Sequence, residues 1–409
     1  MECSSLSTLT CKATTAPICN QSSFERMNSN TAVYVPLEAI ASYTNADGWK
    51  NLQNIAGVAA CGENLTAELT LKGYLNIVGT GEMTSIPWED SKEIIKTITI
   101  TDGITSIADG AFDNCDNLVE IFSYAVNPPV CSDQFEGVDK NTPVYVDEIN
   151  AYRTADGWKE FTYITPQNTK ILFDSYEEFT QAADENFATI TYVREFNNTE
   201  WQALYVPVEI PVTEEFLAEF EVADLNDIRQ YDRDDDGVAD ETVVEAFKVA
   251  DGVLEANYPY LIRAKETGEK NIIVTDATLY ATKENSIDCS SVHERYTFTP
   301  TYSTIAASSL TGRYALSSGV WQPIADNASL GAFRFYLSIE SRDGNMQAAQ
   351  NIRMLVIGKD TGDDTTTGIG SISDTENEDP EMIYDMQGRR VTKPNKGIYI
   401  VNGKKVFIK

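Results

Sequence analysis

The sequence predicts a mainly β chain: truncated solenoid segments at the amino end, a β-sandwich in the middle and a small β module at the carboxyl end. Three observations carry that expectation. A phrase is duplicated: Val33-Tyr34-Val35 leads to Tyr43 and Ala46-Asp47-Gly48-Trp49-Lys50, and Val144-Tyr145-Val146 leads to Tyr152 and Ala155-Asp156-Gly157-Trp158-Lys159. From about Thr169 to Gly358, strand-length runs recur every 8–14 residues. Near the end, Asn402-Gly403 lies between β-branched runs, and a type I′ hairpin turn needs two such residues tolerant of positive φ.

The duplication extends upstream, with Cys3 matching Cys115 and Ala16-Pro17-Ile18-Cys19 matching Pro128-Pro129-Val130-Cys131. A chain that repeats a unit usually builds a surface rather than one reaction centre. Before the second cysteine stand Ile98-Thr99-Ile100, Gly103-Ile104-Thr105-Ser106-Ile107 and Gly110-Ala111-Phe112, with Leu118 and Ile121 after it. Short β-branched alternations separated by a glycine and one aromatic suit a solenoid that makes one strand per turn. This run resembles the BspA-like leucine-rich repeat of Bacteroidetes (Bacteroidales) surface proteins, with Ala111, Phe112, Cys115, Leu118 and Ile121 at family spacing. One good unit is visible, and the Val-Tyr-Val and Asp-Gly-Trp tail is what closes an array in that family. Trp49 and Trp158 are then expected to pack over the last repeat, the alternative being ligand stacking. Residues 51–95 read as a β-segment of their own (Leu69-Thr70-Leu71, Leu75-Asn76-Ile77-Val78). The chain starts inside a repeat, so the expectation is a piece of a longer secreted protein.

At 409 residues the chain is too long for one core and predicts two to four domains. The expected division is 1–57, a partial repeat with its capping tail; 58–168, the β-segment, repeat and second tail; 169–358, the sandwich; 359–380, a polar linker; and 381–409, the terminal module. A formal charge of −32 argues against nucleic acid and anionic membrane as partners, since both need Lys and Arg. No run of 18 apolar residues occurs, so no membrane span is expected. Four of the seven cysteines (3, 19, 115, 131) sit at repeat-equivalent positions, where the family packs them as small apolar residues. Buried thiols are favoured over disulfides, which an exported protein could also form.

In the middle domain a helix is expected near Val212–Leu217, where Thr213 precedes two acids. The order Trp201-x-x-Leu204-x-x-Pro207, then Asn257-x-Pro259-Tyr260-Leu261-Ile262, then Gly331-x-Phe333-Arg334-x-Tyr336-Leu337 resembles a sandwich domain of Bacteroidales surface proteins. Asp232, Asp234, Asp236 and Asp240, with Gly237, match the first part of an EF-hand-type loop, where calcium needs several hard oxygens on a short turn. Position 12 is Val243, so Glu241 or Glu245 would have to supply the late carboxylate; a solvated acidic turn is the plain alternative. A bound calcium would be structural.

Residues 383–391 and 397–409 closely resemble the carboxy-terminal sorting modules of Bacteroidetes exported proteins. The matching residues include Gly397, Tyr399, Asn402, Gly403, Lys404 and Lys405. The resemblance implies an extracellular or outer-membrane location and a hairpin read by the secretion machinery; a merely stabilising β-flap is the alternative. Enzymatic chemistry is not expected. His293 is the single histidine, no Gly-x-Ser-x-Gly elbow or Gly-rich phosphate loop occurs, and no histidine cluster offers zinc. The leading expectation is a non-catalytic adhesion protein that engages a host extracellular-matrix, cell-surface or microbial protein. Alternatives are a glycan-binding protein of a carbohydrate-uptake system and a passive spacer.

Overall fold

The computed structural model describes residues 5–231, 241–290, 294–317, 319–341 and 352–357, and the strands Thr365–Thr366, Ile383–Tyr384, Gly397–Val401 and Lys404–Ile408. Two compact units divide the chain, Met1–Thr365 and Thr366–Lys409.

The amino-terminal part of the first unit is one curled sheet of ten strands. These are β1 (Thr8–Thr10), β2 (Ala32–Pro36), β3 (Ile55–Gly62), β4 (Asn64–Thr70), β5 (Tyr74–Glu82), β6 (Thr97–Ile100), β7 (Ile104–Ser106), β8 (Glu120–Ser123), β9 (Val144–Val146) and β10 (Ile164–Pro166). Leu75, Ile98, Ile121 and Val144 stand side by side on parallel strands, 23 residues apart at each step. That period is a solenoid turn of leucine-rich-repeat length. The turn spacing therefore extends one strand before and one strand after the single unit that the sequence marks. Between the two copies β4 runs antiparallel to both of its neighbours, β3 and β5, while β3 is parallel to β2 and β5 to β6, so direction reverses twice and parallel order resumes. The expected β-segment thus belongs to the repeat sheet, and β3 runs through the expected boundary at 57/58.

Alternation decides which side chains face the core. Leu65, Ala67 and Leu69 on β4, Leu75 and Ile77 on β5, and Ile98 and Ile100 on β6 are all buried, as a strand with one covered face requires. All five residues of the repeat pattern in the sequence (Ala111, Phe112, Cys115, Leu118, Ile121) are buried. Aromatic rings thread the turns: Trp88 lies 6.0 Å from Phe112, Phe112 5.2 Å from Phe135, and Phe135 5.1 Å from Trp158.

After β10 the chain enters a sandwich. β11 (Thr169–Phe173) pairs with β12 (Glu185–Phe196), which pairs with Gly268–Leu279. The facing sheet runs, in spatial order, through Gln202–Leu204, Tyr260–Ala264, Phe220–Tyr231, Glu241–Val249, Ile352–Ile357, Val320–Pro323, Tyr314–Ser317, Arg334–Ser341, Glu294–Thr301 and Ile287–Ser290. Trp201, Leu204, Leu261, Ile262, Phe333 and Leu337, the apolar members of the sequence pattern, are all in its core. The expected helix spans Glu214–Glu219, with the Thr213 hydroxyl accepting from the Phe216 amide at 3.2 Å.

A charged latch joins the sheets. Arg334 grips both oxygens of Asp174 at 2.5 Å, the Tyr192 hydroxyl donates to the same carboxylate, and Arg194 Nε lies 3.8 Å away. Burial pushes the Asp174 carboxyl up, but Arg194 and Arg334 outweigh it and hold the group below the usual carboxylate range. Its stabilisation is therefore present above the ordinary carboxylate pKa and is lost as pH falls through the depressed one.

In the second unit, Gly397–Val401 pairs antiparallel with Ile383–Tyr384 and with Lys404–Ile408. Gly397, Tyr399, Lys404 and Lys405 lie on these strands, and Val401 stands opposite Lys404. Asn402 and Gly403, between the last two strands, lie outside the described residues.

Removing the latch carboxylate strands two buried or half-buried guanidinium groups. Asp174→Ala is expected to cost about 3–5 kcal/mol in urea unfolding; a loss below about 1 kcal/mol would show that the latch does not stabilise the sandwich.

Candidate binding face of the repeat sheet

The duplicated tails fold into duplicated caps, matched atom by atom. The Trp49 indole donates to the Pro17 carbonyl and the Trp158 indole to the Pro129 carbonyl, both at 2.9 Å. The Tyr43 hydroxyl donates to Ala13 O at 2.6 Å and the Tyr152 hydroxyl to Ala125 O at 3.0 Å. Each tyrosine meets its tryptophan edge-on, at 4.9 and 5.0 Å. The Cys19 and Cys131 thiols donate to the carbonyls of Asp47 and Asp156 at 3.1 and 3.3 Å. Glycine follows both aspartates, with φ of +79° at Gly48 and +76° at Gly157. A Cβ there would lie 2.5 Å from Cys19 Sγ or 2.6 Å from Cys131 Sγ, so both the conformation and the space require glycine. Both tryptophans are buried, which places them in the packing role and leaves no ring face for a ligand.

Six cysteines among the described residues are free thiols: Cys11, Cys19, Cys61, Cys115, Cys131 and Cys289. Burial pushes the Cys61 thiol up to about 11 and those of Cys115 and Cys131 up to about 12.

Side chains alternate across a strand, so the neighbours of the buried row point outward. Pro36, Val58, Glu68, Asn76, Thr99, Phe122 and Tyr145 stand in register across β2 to β9. The late end of this line is covered. Tyr145 is fully buried, its hydroxyl accepts from the Ile171 amide at 3.0 Å, and Phe122 stacks on it at 4.8 Å. Lys170 lies over its ring and pairs with Glu120 at 2.5 Å.

The early end is open. A groove of about 560 Å³ runs there, with Tyr34, Pro36, Val58 and Ala59 as apolar floor and Lys12, Glu38 and Glu68 among its polar lining. Tyr34 is the counterpart of Tyr145 in the other copy, yet it is only half-buried. Sequence reasoning missed this site because both tyrosines occupy the same Val-Tyr-Val phrase; only the course of the chain after β10 separates them. A second, wider cleft of about 770 Å³ lies between Lys72 and Tyr74 and the segment 178–185.

Of the candidate calcium loop, Asp232, Asp234, Asp236 and Asp240 lie outside the described residues, as does His293. Glu241 is engaged by Arg353 at 2.6 Å, and Glu245 is buried and paired with Arg229 at 3.1 Å. Both glutamates lie on the strand that leaves the loop, Glu241–Val249, and are held by arginines of its two neighbours, Arg229 on Phe220–Tyr231 and Arg353 on Ile352–Ile357. Among the described residues, no group of three or more His, Cys, Asp or Glu is placed to hold a metal ion. No helix among them is long and apolar enough to cross a membrane.

The chain matches no family model and no curated protein. It is similar to a leucine-rich repeat protein of Eubacterium ventriosum, a crystal structure, at 19% identity over 29% of this chain and 38% of that one, with a TM-score of 0.17.

The burial of the thiols gives a direct check. Alkylation of the native protein at pH 8, followed by mass spectrometry, is expected to leave Cys61, Cys115 and Cys131 unmodified, and guanidinium is expected to expose all three. Native labelling at Cys131 would contradict the cap geometry.

Proposed function

We propose that this chain is a non-catalytic protein-binding protein whose contact surface is the open part of the repeat sheet. The observation that carries the reading is the groove at Tyr34 and Val58: an apolar floor with charged rim, on a sheet whose two copies each end in a buried tryptophan cap. An apolar centre with a polar rim is the anatomy of a protein interface, and a solenoid sheet offers such a surface in extended form. The sequence resemblances support a finer reading, a BspA-like surface protein of a Bacteroidetes bacterium, exported through the module at 381–409 and engaging a host or microbial surface protein. Calcium at Asp232–Asp240 would stiffen one loop of the sandwich and takes no part in recognition. The non-catalytic part of the proposal rests on the single histidine and the lack of nucleophile, phosphate-loop and zinc motifs.

The glycan alternative fares less well on the sandwich. Among its described residues, Phe247 is the only exposed large aromatic, which gives no row of rings for stacking sugars.

The purified chain is to be tested against an array of extracellular-matrix proteins, bacterial surface proteins and glycans. Saturable binding to a protein is expected, and Val58→Asp should weaken it at least tenfold, about 1.4 kcal/mol. Binding to glycans alone, or protein binding indifferent to Val58→Asp, would overturn the reading.

A further inference from the structure

The chain already shows how its own sheet face is covered. At Tyr145 the cover is an extended segment, Lys170-Ile171, and it makes three contacts. Its backbone amide donates to the tyrosine hydroxyl at 3.0 Å, its lysine ammonium lies 5.8 Å from the ring centroid, and the same ammonium pairs with Glu120 at 2.5 Å. Tyr34 offers the same ring at the corresponding place in the first copy, facing a groove instead of a strand.

The charges at that groove point the same way. Glu38 and Glu68 line it, and neither has an ion-pair partner among the described residues; Lys12 is the single cation beside them. The groove therefore carries a local excess of one negative charge, in a chain with a formal charge of −32. Such a field attracts cationic surfaces and speeds their encounter. An exposed carboxylate gains little from a cation alone, but a lysine or arginine laid over Tyr34 would add a cation–π contact, and the apolar floor of Pro36 and Val58 would take the neighbouring apolar side chain.

We propose that the Tyr34 groove binds an extended segment of another protein that carries a lysine or arginine next to an apolar residue, in the manner of Lys170-Ile171 on Tyr145. The inference rests on the protein-binding reading and names the chemistry of its partner. The groove would select basic, strand-like segments and reject acidic ones, because a carboxylate placed between Glu38 and Glu68 would be repelled.

The test uses the full chain and a fluorescent peptide with the sequence of residues 167–173, which holds the Lys170 and Ile171 that lie on Tyr145 and carries one positive side chain. At low salt the peptide is expected to bind saturably. Tyr34→Ala and Glu68→Lys should each weaken binding at least tenfold, Tyr34→Phe should keep most of it, and the peptide carrying Lys170→Glu should not bind. Raising the salt should weaken binding further, as an exposed ion pair requires. Wild-type melting of Tyr34→Phe and Glu68→Lys separates loss of contact from loss of fold. Binding indifferent to Tyr34→Ala, or equal binding of the acidic peptide, would overturn the proposal. A silent peptide alongside protein capture that Val58→Asp abolishes would remove this inference and leave the protein-binding reading standing; silence in both assays would remove both.

Discussion

At the end of each array the backbone must turn over a cysteine so closely that no Cβ fits. Gly157 sits at φ +76° with Cys131 Sγ where its side chain would be, and this turn aims the next residue, Trp158, back across the solenoid end. The indole then satisfies the Pro129 carbonyl, packs on Phe135 and Tyr152, and continues the ring column through Phe112 to Trp88. Each such ring contact contributes about 0.5–1.5 kcal/mol beyond the area it buries. Without the turn the last strand layer would expose its apolar side to water. Gly48 and Cys19 repeat the arrangement in the first copy, so the same constraint acts twice in one chain.

Rigid turns matter because the sheet face is useful only if its register holds. Leu75, Ile98, Ile121 and Val144 keep a 23-residue step, the outward line from Asn76 to Tyr145 follows from it, and the β3–β4 hairpin carries that line on to Pro36. Where the chain folds back, that line is filled by Lys170 and Ile171; where it does not, Tyr34 stays open. Two tyrosines of the same origin thus have different fates. The burial of one is a physical model for the occupancy of the other.

Much of this was legible in the residues. The duplicated Asp-Gly-Trp phrase foretold the caps, because glycine before a buried aromatic is a demand of backbone geometry, and the Ala111–Phe112–Cys115 spacing foretold the turn. The strand-length runs that recur every 8–14 residues from Thr169 to Gly358 foretold the sandwich, and Trp201 and Leu204 lie in its core. Other features were not legible. The hairpin β3–β4 reads as a separate β-segment because its alternation is as good alone as inside a larger sheet; only pairing Pro36 with Val58 and Glu68 with Asn76 joins it to both copies. The latch between Asp174 and Arg334 spans 160 residues, and no local pattern signals a partner at that distance. The opening at Tyr34 depends on where a later segment lies, which a local phrase does not encode.

The tryptophan caps hold the repeat turns in register. Hydrogen exchange across β6, β8 and β9, measured together with guanidinium unfolding for Trp158→Ala and Trp158→Phe, tests it most directly. Trp158→Ala is predicted to cost about 3–5 kcal/mol and to speed exchange on all three strands, with Trp158→Phe intermediate. Unchanged exchange and an unchanged unfolding midpoint in Trp158→Ala would contradict the account.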